Sequence, residues 1–109
     1  MAKFAECDAV HLVVGELASD TVPVGAFQYF GIRPGKSPLG LHYKCPCGCG
    51  DVGTLRFRHA SDSRPSWEWD GNVDMPTLKP SINHRHVENG VLTDEHWHGY
   101  LTAGKFVSV

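Results

Sequence analysis

Apolar and polar positions alternate over short stretches of this chain, and no run of ten residues keeps the 3.6-residue spacing of an amphipathic helix. Residues 9–14 (AVHLVV) are apolar and β-branched and predict a first strand. Residues 15–20 read as a turn, and Pro23 makes residues 21–24 an edge strand or extended connector. Residues 27–32 (FQYFGI) form an aromatic strand that ends in the Pro/Gly loop of residues 33–38. Residues 39–44 alternate, as do residues 52–58, where Leu55 and Phe57 share the face opposite Val52, Thr54, Arg56 and Arg58.

Residues 60–65 are polar and loop-like. Trp67 and Trp69 then share a face and predict a core-facing wall, with Asp70-Gly71 inviting a turn. Pro76 and Pro80 frame the PTLKPSI segment, which predicts a rigid brace at a sheet edge or in a loop. Asn89-Gly90 signals a turn, and residues 96–109 read as a hairpin folded at Ala103-Gly104. The expected fold is all-β: a small two-layer sandwich or partly open barrel with little helix, formed by residues 1–109 as one domain.

Composition narrows the class of protein. A chain of 109 residues with 41% hydrophobic and 20% charged positions supports one modest core rather than disorder. The formal net charge of −2 gives no basic footprint for nucleic acid. No apolar run approaches the roughly 20 residues that span a bilayer, and residues 1–8 lack the apolar centre of a signal peptide. A reducing cytoplasm is the expected compartment.

The chemistry concentrates in Cys45-Pro46-Cys47-Gly48-Cys49-Gly50, which holds three of the four cysteines. Alternating cysteines have the wrong Cα geometry to pair with one another. A tetrahedral Zn²⁺ resolves the crowding by taking thiolates at about 2.3 Å and imidazoles at about 2.0 Å. Zinc is therefore the expected cofactor, bound by Cys45, Cys47 and Cys49 in a zinc-knuckle loop. The chain's seven histidines offer the remaining donor, with His84/His86, His96/His98, His42 and His59 as candidates. In each His-x-His the two rings share one face of an extended strand. Surface-strand residues are the default reading of His84 and His86, and His11 reads as half-buried in an apolar strand. Cys7 reads as a free, partly buried thiol.

The order CPCGCG, Trp-Glu-Trp-Asp-Gly-Asn, PTLKPSI and HWHGYLTAGKF resembles a group of small phage and prophage proteins of unassigned function, some of which carry the name ammonia monooxygenase. The resemblance runs from about Tyr43 to Phe106. His98 and Gly104 match the last motif of that group, while Trp97 stands where the group often has Cys. The resemblance thus implies His98 as the closing ligand, with His96 as its substitute, in a phage-encoded protein of the bacterial cytoplasm.

The leading expectation is a closed structural zinc site, Cys45, Cys47, Cys49 and His98, in a module that binds an unknown protein partner such as a host factor. One alternative is a zinc-dependent hydrolase with Glu68, Asp70, Asp94 or Glu95 as general base, and another is a virion or assembly component. No recognised zinc-hydrolase signature accompanies those acids.

Overall fold

The short alternating stretches become strands of two stacked antiparallel-rich sheets. The computed structural model describes residues 6–60 and 65–109, with side chains except at 60, 86–88 and 92–95. Among these residues nine strands form: β1 (Cys7–Asp8), β2 (Val10–His11), β3 (Ala26–Phe30), β4 (Gly40–Lys44), β5 (Val52–Arg56), β6 (Glu68–Trp69), β7 (Leu78–Glu88), β8 (Val91–Thr102) and β9 (Lys105–Ser108). A single 3₁₀ turn, Arg58–Ala60, follows β5. The all-β expectation is met, and the architecture is an open sandwich rather than a closed barrel.

One sheet has the order β1-β9-β8-β7-β6 and the other β2-β3-β4-β5. The period-2 pattern decides what lies between them. Phe27, Leu41, Tyr43, Leu55 and Phe57 from the four-stranded sheet meet Leu78, Ile82, Trp97, Leu101 and Phe106 from the five-stranded one. Trp97 is fully buried, and its indole N–H donates to Ser108 Oγ at 3.0 Å, so the largest core side chain leaves no polar atom stranded. Trp69 stacks on Phe57 with ring centroids 4.9 Å apart, and Trp67 also packs against the core, as the shared-face reading required.

The predicted first strand divides in two. β1 pairs with β9 in one sheet, while β2 pairs in parallel with β3 in the other. The chain crosses between sheets at Ala9, whose N–H reaches Gly104 O at 2.8 Å, while Val10 N–H reaches Gly25 O at 3.0 Å. Val13 and Val14 are largely exposed and lie outside any strand. Their β-branched character was misleading because the segment is spent on joining two sheets.

The PTLKPSI segment is extended near the margin of its sheet, as its prolines predict, and it runs on into a long strand. Leu78 onward forms β7, a long strand with β8 on one side and the two-residue β6 on the other. Pro80 is accommodated because the pairing is irregular there: Leu78 faces Leu101 and Ile82 faces Gly99, so β7 advances four residues while β8 advances two. The Lys79–Pro80 peptide is cis. The β7–β8 turn uses Asn89 (φ 52°) and Gly90 (φ 77°), and the β8–β9 turn uses Ala103 (φ 47°) and Gly104 (φ 75°). Two successive positive φ values match the twist of hairpin strands, and both turns lie where the sequence placed them.

Candidate functional site

The antiparallel pair β4–β5 delivers the three clustered cysteines as its connection, in register from Gly40↔Arg56 to Lys44↔Val52. Cys45 N–H closes the loop onto Asp51 O at 2.8 Å, and Gly48 N–H turns back to Cys45 O at 3.1 Å. The Sγ atoms of Cys45 and Cys47 stand 3.4 Å apart. Thiolates sharing one tetrahedral zinc at about 2.3 Å sit roughly 3.8 Å apart, so little adjustment separates this loop from a loaded one. All four cysteines are free thiols.

The opposite sheet supplies imidazoles. Ligand atoms of Cys45, Cys49 and His84 lie within 4.8 Å of one another, as do those of Cys47, Cys49 and His96. The two sets share Cys49, and Cys45, Cys47 and Cys49 with His84 or His96 lie close enough to hold a metal ion. His84 and His96 have ring centroids 6.0 Å apart, and His84 Nε2 and His96 Nδ1 are both buried. The hydroxyl of Tyr43, on β4, lies 2.7 Å from His84 Nδ1 and orients the ring from across the core. His84 Nε2 stands 3.6 Å from Asp51 Oδ2.

Burial pushes the Cys45 thiol well above its ordinary range, with its cysteine neighbours contributing after that, and burial likewise raises Cys49. A cation held there would reverse this by stabilising the thiolates. His84, read by default as a surface-strand residue, is instead 7% exposed and belongs to this pocket. His86 lies outside the described side chains.

His98, the expected closing ligand, lies in neither donor set among the described residues. The reason is a bulge. His84 pairs with Trp97 and Arg85 with Glu95, so one step on β7 spans two on β8, and His96 is the extra residue. A bulged residue breaks the alternation of faces. His96 therefore joins His84 beside the cysteines, and His98 turns to the other side of the sheet. The shared face expected of a His-x-His pair holds only in a regular strand.

On that other side, His98 Nε2 lies 3.1 Å from Ser81 Oγ. Ser81 sits in the irregular start of β7, and its carbonyl accepts from the Trp67 indole N–H at 3.3 Å. It opens on a cleft of about 570 Å³ with Pro65, Ser66 and Trp67 on one wall and Pro80, Ser81, Asn83 and Arg85 on the other. A serine hydroxyl held by an imidazole nitrogen at the wall of a cleft is the pairing used in acyl transfer. The sequence reading missed Ser81 because no motif surrounds it; its signals were the Pro-framed segment and a histidine left over once metal ligands are chosen.

Two of the acids proposed as bases, Glu68 and Asp70, lie elsewhere. Glu68 is exposed and 3.4 Å from Arg58, and Asp70 Oδ1 accepts from the backbone N–H groups of Asn72 and Thr77 at 3.0 and 3.2 Å. The side chains of Asp94 and Glu95 are outside the described residues. His42 bonds Thr54 Oγ1 at 2.9 Å, His11 stacks on Phe27, and His59 packs beside Phe57. No described helix is long and apolar enough to cross a membrane.

No curated protein and no solved structure matches the chain. A family model does: the one described as bacterial ubiquitination-like system serine protease (BubE) matches residues 18–109. That span takes in the cysteine loop, both hairpins and the Ser81–His98 pair, and by it the chain belongs to the BubE family.

Proposed function

We propose that the protein is a serine peptidase of a ubiquitination-like system, with Ser81 as nucleophile and His98 as its general base. The 3.1 Å approach of His98 Nε2 to Ser81 Oγ at the wall of the cleft is the observation that carries this reading. The family description supplies the reaction class. In the reacting tautomer the imidazole proton is on Nδ1 and Nε2 accepts. Ser81 Oγ adds to the scissile carbonyl as its proton passes to His98 Nε2. His98 then gives that proton to the leaving amine as the C–N bond breaks, and water repeats the cycle on the acyl-serine ester.

The cysteine pocket serves this site as a structural zinc centre in the same reading. Cys45, Cys47 and Cys49 with His84 or His96 offer a thiolate-rich shell, the pattern of closed rather than catalytic zinc. Such a shell ties the β4–β5 loop to β7 and β8 across the sandwich. Closing a loop of that length restricts the unfolded chain by about 3–4 kcal/mol. Four unpaired thiols suit a reducing bacterial cytoplasm. An enzyme thereby replaces the partner-binding module as the favoured reading, because a serine–histidine pair needs no explanation in a pure binding domain only if it is a chance contact.

The test is a fluorophosphonate probe followed by peptide mass mapping. The expected result is one adduct on Ser81, absent in Ser81→Ala and formed at least 100-fold more slowly in His98→Ala, as loss of a general base predicts. No adduct on folded, zinc-loaded protein would overturn the assignment.

A further inference from the structure

Among the described residues, the strand that carries Ser81 also presents an open edge beside it. β6 covers β7 only through Glu68↔Lys79 and Trp69↔Leu78, and among the described residues no strand pairs with that edge further along. The direction of the backbone groups can be read from three hydrogen bonds. Thr77 O accepts from Asp70 N–H at 3.2 Å and Ser81 O from the Trp67 indole at 3.3 Å, so both carbonyls face the outer edge. Asn83 sits opposite His98, whose carbonyl is turned the other way to accept Val109 N–H at 3.0 Å. Asn83 and His98 are therefore a non-hydrogen-bonded pair, and the N–H and C=O of Asn83 point out of the sheet edge. Asn83 itself is exposed.

We propose that this edge binds the substrate as an added strand, so that the substrate class is an extended, unfolded peptide segment recognised mainly through its main chain. The proposal rests on the reading of Ser81 as nucleophile. An exposed edge with unpaired backbone groups is a template for strand addition, and here it forms one wall of the cleft while Pro65, Ser66 and Trp67 form the other. A segment lying in that slot pairs with Asn83. Ser81 is two residues away, about 6.6 Å along the strand, and its carbonyl is already taken by Trp67. The indole thus ends the ladder at the nucleophile: pairing holds the segment at Asn83, and the next stretch of its backbone passes Ser81 Oγ without being held by β7. A helix has its backbone groups already paired within itself and offers nothing to this edge.

Two separate measurements test it. Zinc-loaded Ser81→Ala protein is mixed with amide-capped decapeptides randomised at every position, and amide hydrogen exchange is followed residue by residue. The Asn83 amide is expected to slow at least tenfold, while Ile82 and His84, already committed to β8, stay unchanged. Binding of the same peptides, fluorescein-labelled, is expected to weaken at least tenfold when Asn83→Pro is added to Ser81→Ala. Absence of Asn83 protection at saturating peptide, or protection elsewhere only, would overturn strand addition. The fluorophosphonate result on the wild-type protein is independent of both, so failure of the nucleophile and failure of the edge give different patterns.

Discussion

The hydroxyl of Tyr43 lies 2.7 Å from Nδ1 of His84, joining β4 of one sheet to β7 of the other inside the core. With Nδ1 engaged by Tyr43, Nε2 would be the nitrogen that ligates a metal. Partners of this kind fix the ring and raise its basicity, and their loss typically costs 10–100-fold in metal affinity. Tyr43→Phe is therefore expected to weaken zinc binding by at least tenfold while leaving the stoichiometry at one. Competition with a chromophoric chelator measures this, and an unchanged affinity would separate His84 from the metal.

Cys45→Ser removes the most buried of the clustered thiols. Zinc content should fall below one per chain, and stability should drop by about 3 kcal/mol as the cross-sheet tie is lost. Cys7→Ser provides the contrast, because Cys7 lies on β1 paired with Phe106 and in neither donor set. That variant should keep its full zinc content by elemental analysis.

Acidity should act in opposite directions on the loaded and metal-free proteins. Burial raises Cys45 and Cys49 above the thiol value of 9.0, so the metal-free fold favours protonated thiols. For an acid raised in this way the stabilisation is present below the unfolded value and is lost as pH climbs toward the folded one. Metal-free protein should thus lose stability above about pH 9. Zinc requires thiolates, so protons compete with it and the loaded protein should lose stability as pH falls below neutrality. Thermal melts with zinc and with EDTA across pH 5–11 read both slopes, and parallel curves would contradict the metal assignment.

Gly53 stands directly across from Tyr43, and a Cβ there would fall on the Tyr43 ring. Gly53→Ala forces that ring to move in a filled core, at an expected cost of about 1–3 kcal/mol by urea denaturation. The displaced hydroxyl should also weaken zinc binding. Unaltered stability would mean that β5 yields instead of Tyr43.

Much of the fold was legible because its signals are local. The alternation at Leu55 and Phe57, the shared face of Trp67 and Trp69, and the turns at Asn89-Gly90 and Ala103-Gly104 each depend on a few neighbouring residues. The cysteine loop was legible for the same reason. What failed depended on register. Pro80 argues against a central strand, yet two extra residues on β7 let that strand pair with β8, and those residues also carry Ser81 to His98. The resemblance points to His98 as the metal ligand, and in a regular strand His96 and His98 would share a face and be interchangeable. Only the pairing of β7 with β8, far apart from the cysteines in sequence, reveals that β8 is irregular there.

The single inserted residue at His96 acts as a partition through the thickness of the sheet. Histidines separated only by Trp97 are dealt to opposite sides, one to the thiols and one to the serine hydroxyl. Adding or deleting a residue in most surface loops of this sandwich would merely lengthen or shorten the loop. Deleting one between Glu95 and Trp97 would restore the alternation and strip the cysteine pocket of its second imidazole. The same stretch of β8 frames both chemistries, so a frame error of one residue there reaches both at once.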